Sequence, residues 1–543
     1  MRCLHFAALS FSGLTALSGA AVAAPSYVRL SYTADPQSSM TVTWNTTGAT
    51  AAEVQYGTAP SSYSKTVKAK SLQANAGLGF IHEAELDGLA PSTKYYYIAG
   101  STADGYSAEA SFVTGPAPDT SCGNVKFAFL ADNRPDPIFG GGDNWPQIMD
   151  QAAQNKPAFM LNGGDLVIDG DKIDQWLKFL GWTTTVAKSI PFMPAMGNHD
   201  TGPGAGDGAN YNQIFALPRS TGPSSSGTED YYYFTYGNAI FAALNTDNYK
   251  TGSIPFATQA AWLDAVLTAN PKKWKFVYFH KPVYTTGTLV SHPPNEENQN
   301  AAFVPVFDKH HVDVVFQSHN HWYERFEPSA CGTKGTPGSA NPCSVGASNF
   351  AGGTVYLVSG GAGAFTIPAF LCGNTPGRAL CSGDHHYVLM NIANEKLTLE
   401  TWSAFPQANK VIDTITISKP GDVCGTPPDG GVPDSGAGGA GGAGGAAGAG
   451  GGGGSGGSAG SGATAGSAGS GGAVGGAGGT SSGGAAQSGG TTASGGSATG
   501  GKASGKDAGE DSGCGCRAAG SGGAAGALAL LALAGIWARR RRR

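Results

Sequence analysis

Residues 127–132 read Phe-Ala-Phe-Leu-Ala-Asp, five apolar residues that run straight into a carboxylate. The pattern recurs: Phe159 to Gly164 leads to Asp165, Ile190 to Gly197 to Asn198, Phe276 to Phe279 to His280, and Val312 to Ser318 to His319. Short, largely apolar runs of this kind are what strands buried on both faces of a sheet look like. Each delivers a metal-ligand type of residue to one edge, and in open α/β folds the carboxyl edge is where ligands bind. Two Asp, one Asn and three His, counting His321, suit a pair of divalent or trivalent ions bridged by one carboxylate.

Around these runs, strands alternate with helical patterns at Trp145 to Ala153, Asp171 to Leu180 and Thr258 to Ala269, which predicts a layered α/β domain over residues 124–419. The later runs Thr354 to Ser359, His386 to Ile392, Lys396 to Trp402 and Val411 to Ser418 lie close together and predict a second, largely antiparallel sheet, hence a four-layer sandwich. Upstream, residues 25–118 show short alternating runs separated by turns, the pattern of an all-β sandwich.

The two ends have a different character. Arg2, the apolar stretch Leu4 to Leu17 and the small residues Ala21-Val22-Ala23 fit a secretory signal over residues 1–23. Residues 425–513 are almost entirely Gly, Ala, Ser and Thr, too poor in apolar surface to offset chain entropy, and read as a disordered linker. Within residues 514–543, Cys514-Gly515-Cys516 precedes a weakly apolar stretch from Ala518 to Ala538 of bilayer-spanning length and the cluster Arg539 to Arg543, which predicts a transmembrane helix with a cytoplasmic flank. Of the cysteines left after the signal, six lie between Cys122 and Cys424, an even number in an exported chain. Fifteen pairings are open; Cys331 with Cys343, Cys372 with Cys381 and Cys122 with Cys424 are the expectation. A formal charge of −5 without a basic stripe argues against a nucleic-acid partner.

Any one of the candidate ligands has an ordinary alternative, since an Asp at a strand end is often a helix cap and an isolated His is usually structural. The joint pattern is more specific. Gly164-Asp165, Gly197-Asn198-His199-Asp200, His280-Lys281-Pro282-Val283-Tyr284 and His319-Asn320-His321-Trp322-Tyr323-Glu324-Arg325 follow in order after Asp132. Across residues 25–419 the chain resembles the calcineurin-like metallophosphoesterases and, within them, the purple acid phosphatase branch. Trp44 and the phrase from Leu86 to Tyr97 resemble that branch's fibronectin III-like N-terminal domain. The C-terminal arrangement resembles a MYXO-CTERM surface-sorting tail, which implies a sorting protease acting near the cysteines and an exported protein, held at the cell surface or outer envelope or secreted.

The resemblance implies one metal on Asp132, Asp165 and His321 and a second on Asp165, Asn198, His280 and His319, with Asp165 bridging. It implies two ions, iron paired with zinc, manganese or iron, and hydrolysis of phosphomonoesters by metal-activated hydroxide. It assigns His199 to the leaving oxygen and His292 to the phosphate, although His292 is as easily an ordinary loop histidine. Two departures stand out. Ile168 replaces the tyrosine that gives the family its colour, so this protein should not be purple, and zinc or manganese gains on ferric iron. Arg134 stands where many superfamily members carry a histidine; it either reaches the phosphate as a fork donor or pairs with a nearby acid. Ser318 takes the place of a glycine before the His-x-His pair. Other readings stay open: a phosphodiester or nucleotide substrate at the same site, or a surface binding protein with a lapsed site, for which the β module, long spacer and anchor would serve.

Overall fold

The computed structural model describes residues 24–49, 51–117, 124–135, 144–204, 206–247, 254–288, 291–330 and 352–419. The expected signal, the linker, the Cys-Gly-Cys element and the transmembrane helix with its sorting tail lie outside the described residues, as do Cys122, Cys331, Cys343 and Cys424. No described helix is long and apolar enough to cross a membrane.

The N-terminal part is a β-sandwich. One sheet orders Ser26–Ser31, Met40–Thr46, Phe80–Leu86 and Lys70–Gln73; the other holds Lys65–Lys68, Glu53–Gly57 and Lys94–Ser101, the last paired also with Gly105–Tyr106 and Ala110–Val113. Val42, Trp44, Val54, Tyr97 and Phe112 fill the space between them. The tyrosines of the Leu86 to Tyr97 phrase serve packing: the Tyr95 hydroxyl accepts the Ala90 N–H at 2.9 Å. Arg29, buried, donates through Nε to Ile214 O at 2.9 Å and through Nη1 to Asn45 Oδ1 at 2.9 Å, fastening the sandwich to the following domain.

That domain has four layers. Its first sheet orders Phe192–Pro194, Phe159–Asn162, Val125–Leu130, His385–Ala393, Lys396–Phe405 and Lys410–Ser418. Its second orders Tyr232–Tyr236, Ala239–Ala243, Trp274–Tyr278, Val314–Gln317, Val355–Ser359, Tyr323–Phe326 and Arg378–Ser382. Period-two alternation places Phe127, Phe129 and Phe159 of the first sheet against Phe241, Phe276 and Phe316 of the second. Phe127 meets Phe276 edge to face at 5.1 Å, and Phe129 stacks on Phe316 at 4.6 Å. The intervening residues of the second sheet, Ile240, Ala242, Val277 and Val315, face a separate core under the helices Phe256–Ala269 and Asn300–His310. The helices Trp145–Gln154 and Ile173–Ala187 cover the first sheet through Ile148, Met149, Trp176 and Leu180.

The predicted antiparallel sheet of four late strands does not form as a unit. Val355–Ser359 pairs parallel with Val314–Gln317, while His385–Ala393 pairs antiparallel with Val125–Leu130 and brings the last two strands into the first sheet. Alternation shows that a run is a strand; it carries no information about the partner, and here the chain between Ser359 and His385 changes sheets. Of the expected disulfides, Cys372–Cys381 is present.

Candidate metal centre

The parallel strands Val125–Leu130, Phe159–Asn162, Phe192–Pro194, Trp274–Tyr278 and Val314–Gln317 end on one side of the two sheets, and every candidate ligand follows one of them within a few residues. Three of these residues, Asp132, Asp165 and His319, have left-handed backbones with φ of 55°, 58° and 72°. Such conformations disfavour ordinary side chains and persist where the surroundings impose them, typically at functional sites. Glycine explains how close the loops come. A Cβ on Gly164 would stand 2.6 Å from the Gly197 nitrogen, and one on Gly197 would collide with Asp165, so the Gly-Asp and Gly-Asn-His pieces need glycine for contact with each other.

Asp132 is fully buried; its Oδ2 accepts the His319 N–H at 3.0 Å, and its Oδ1 has no hydrogen-bond partner among the described residues. His321 Nε2 lies 3.5 Å from that Oδ1. The opposite nitrogen of His321 hydrogen-bonds Phe365 O at 3.0 Å; a carbonyl only accepts, so Nδ1 carries the proton and Nε2 is left as a ligand. His280 is held the same way, with Nδ1–H on Gly163 O at 2.9 Å and Nε2 turned to Asp165 Oδ1 at 3.2 Å and His319 Nδ1 at 3.0 Å. Asn198 Oδ1 is buried without a hydrogen-bond partner among the described residues. Asp165 accepts the His199 N–H at Oδ1 (3.1 Å) and Arg134 Nε at Oδ2 (3.2 Å).

Potential ligand atoms of Asp165, His280 and His319 lie within 4.8 Å of one another, and so do those of Asp132, Asp165 and His321. Asp165 belongs to both sets. Convergent lone pairs and orphaned buried oxygens on Asp132 and Asn198 are what cations would satisfy, so the donors fit a pair of metal ions.

Electrostatics agree with the geometry. Burial works against ionising Asp165, yet His280, His199 and Arg134 hold its carboxyl well below the usual range. Burial likewise opposes ionising Asp132, and the neighbouring His321 and His280 outweigh it, which leaves its carboxyl below the usual range. His280 is depressed by burial but lifted by the Asp165 and Asp132 carboxylates to about 9. His319, mainly through burial, falls to about 3 and stays neutral.

The structure also brings in residues that the sequence reading passed over. Asp200 accepts four backbone N–H groups, from Asp165, Leu166, Val167 and Gly197, at 2.7 to 3.2 Å, and so ties the two ligand loops together. Its signal was its place in Gly197-Asn198-His199-Asp200. Glu296 faces His319 Nε2 at 3.3 Å and His292 Nδ1 at 3.5 Å, and the His292 ring packs on His319 with centroids 3.7 Å apart. The only trace of this in the sequence is the four-residue spacing from His292 to Glu296. His199 Nδ1 donates to Ile168 O at 2.5 Å, leaving its Nε2 at 3.9 Å from Asp165 Oδ2. Ile168 therefore supplies a carbonyl to His199 and no ligand atom of its own. Arg134 takes the acid-pairing role, on Asp165. Ser318 is buried and keeps the turn by donating its N–H to His280 O at 2.9 Å.

Residues 25–114 match the purple acid phosphatase N-terminal domain, and residues 125–323 match the calcineurin-like phosphoesterase domain. The chain carries both domains, in that order. Purple acid phosphatase 23 of Arabidopsis thaliana is 28% identical over 320 residues, 51% of this chain and 66% of that protein. Purple acid phosphatase 21 of the same plant is 29% identical over 300 residues and 64% of its length is covered, so the chain spans just under two thirds of these relatives. Acid phosphatase type 7 of Homo sapiens is 25% identical over 453 residues, 75% of this chain and 94% of that one. In fold, the chain is similar to a purple acid phosphatase from yellow lupin (Lupinus luteus) seeds, with a TM-score of 0.57 at 21% identity over 73% of this chain and 74% of that one.

Proposed function

We propose that this protein is an exported phosphatase that hydrolyses phosphomonoesters at a dinuclear metal centre. The observation that carries the reading is the convergence of Asp132 and His321 on Asp165 in one group and of His280 and His319 on Asp165 in another, at the carboxyl ends of parallel strands, with the unpartnered buried Asn198 Oδ1 as the further donor expected for the second group. Bound there, two cations of zinc, manganese or iron type supply charge neutralisation for the phosphate and an acidified water as nucleophile. The protein's part is placement. Gly163 O and Phe365 O fix the rings of His280 and His321, and Asp200 holds the loops that carry Asp165 and Asn198. His199, anchored through Nδ1 to Ile168 O, presents Nε2 to the departing alkoxide as its proton donor. His292, packed against His319 at the rim, donates to a phosphate oxygen.

Export rests on the signal-like residues 1–23, on the Cys372–Cys381 disulfide, which belongs in an oxidising compartment, and on the anchor-like residues 514–543 beyond the linker 425–513. The test is metal analysis of the purified protein together with turnover of a chromogenic phosphomonoester and of its bis-ester. One to two ions per chain and preference for the monoester are expected. Preference for the bis-ester would move the substrate class to phosphodiesters; no turnover of either and no retained metal would leave a surface binding protein.

A further inference from the structure

Arg134 sets a guanidinium directly against the bridging carboxylate. Its backbone N–H donates to Asp165 O at 3.1 Å and its Nε to Asp165 Oδ2 at 3.2 Å, so it grips the bridging residue at two points. The guanidinium side chain is 15% exposed and the Asp165 side chain 1%, which leaves little water to screen the pair. Asp165 Oδ1 already accepts the His199 N–H and faces His280, so Oδ2 is the oxygen that remains for the donor set of Asp132 and His321. A guanidinium stays charged at any relevant pH. It therefore occupies a lone pair that the first ion needs and cancels part of the negative charge that would attract it.

On the second donor set, His280 and His319 are contacted from behind by Gly163 O and Glu296, which orient the histidines without competing for their ligand atoms, and Asp165 Oδ1 there accepts a neutral backbone N–H in place of a guanidinium. Ile168 adds nothing to the first set. We propose that Arg134 makes the two cation sites unequal by competing with the first ion for Asp165 Oδ2, so that the resting protein keeps one ion, on Asn198, His280 and His319, and takes up the other reversibly. This rests on the dinuclear reading above. Arrival of the first ion displaces the guanidinium, and that links occupancy of the first site to a freed fork donor beside the phosphate.

The test uses the full chain, stripped by chelation and titrated with zinc calorimetrically, with metal content measured after gel filtration. The wild type is expected to show two binding events at least about tenfold apart and to retain about one ion, the separation being the usual effect of a residue that acts on a ligand. Arg134→Met, similar in length but uncharged, should tighten the weaker event by about 10- to 100-fold and leave the stronger one unchanged. Arg134→Lys keeps a charge without the planar fork and should fall between, which keeps the test informative if the methionine variant folds poorly. Two equal events in the wild type, or a weaker event that Arg134→Met leaves in place, overturn the proposal alone. Failure to retain any ion overturns the dinuclear reading with it.

Discussion

The two halves of the metal centre draw on the same residue types yet are built differently. In the second half, His280 and His319 are almost fully buried, and each has its far nitrogen turned to a group that cannot take the cation's place. In the first half, Asp132 is as deeply buried, but His321 is held from the loop that carries Phe365, and the shared Asp165 is claimed by Arg134. The comparison teaches that a ligand set is not specified by its ligands alone: what else holds each ligand atom decides how much of it a cation receives.

The largest effect expected is from deleting a ligand of the second half. His280→Ala and Asn198→Ala should each lower kcat/KM for a phosphomonoester by about a thousandfold or more, since the charge stabilisation from a metal is worth several kcal/mol and each 1.36 kcal/mol is tenfold. His321→Ala, in the first half, should lose less and regain much of it when excess zinc or manganese is added. Equal, unrescued losses in both halves would erase the distinction between them.

How much of this contrast could be read in the sequence depends on the kind of contact. Asp132, Asp165, Asn198, His280 and His319 were legible because each stands at the end of a buried strand, where apolar patterning announces the strand and the polar residue breaks it. The partners of those strands were not legible: nothing in His385–Ala393 says that it lies against Val125–Leu130 across more than 250 residues. Helix Asn300–His310 went unread because Pro305 sits inside it, where its missing N–H argues against a helix. Glu296 and Arg134 were opaque for a related reason. Both act through side-chain contacts whose partner is set by the path of a loop, and periodicity does not encode that path.

Glu296 gives the next largest effect. Its carboxylate faces the outer nitrogen of His319 at 3.3 Å while Nδ1 faces His280, so Glu296→Gln should weaken binding of the tighter ion by about 10- to 100-fold without moving the weaker one. Glu296→Asp should restore part of the loss. A purely structural role would instead shift thermal stability and leave metal affinity alone.

Acid should act on the halves unequally as well. Carboxylates hold His280 at about 9, so below that pH its ligand nitrogen carries a proton that the second ion has to expel. Apparent affinity at this site therefore falls as pH is lowered through 9, by up to about tenfold per unit where other ligands keep their protonation state. His319, at about 3, is neutral throughout and adds no such dependence. Calorimetry at pH 7 in buffers of different ionisation enthalpy should find about one proton released with the tighter ion; none released would mean that His280 is not a ligand.

The smallest expected effect probes the loop behind the first half. Phe365 O fixes His321, and Ile367 donates its N–H to His321 O at 2.7 Å, while the chain a few residues on is stapled by Cys372–Cys381. The staple lies on no ligand and reaches the centre through this backbone and through the pairing of Cys381 with Glu324 in the strand that follows His321, so its removal loosens the orientation of His321 without deleting a donor. Cys372→Ser with Cys381→Ser should therefore weaken the reversible ion by less than about tenfold, at the low end for orienting groups, and leave the tightly held ion as it was. A matching loss at the second site would mean that the halves relax together through Asp165, and the asymmetry would then belong to the whole centre and not to the contacts behind one ligand.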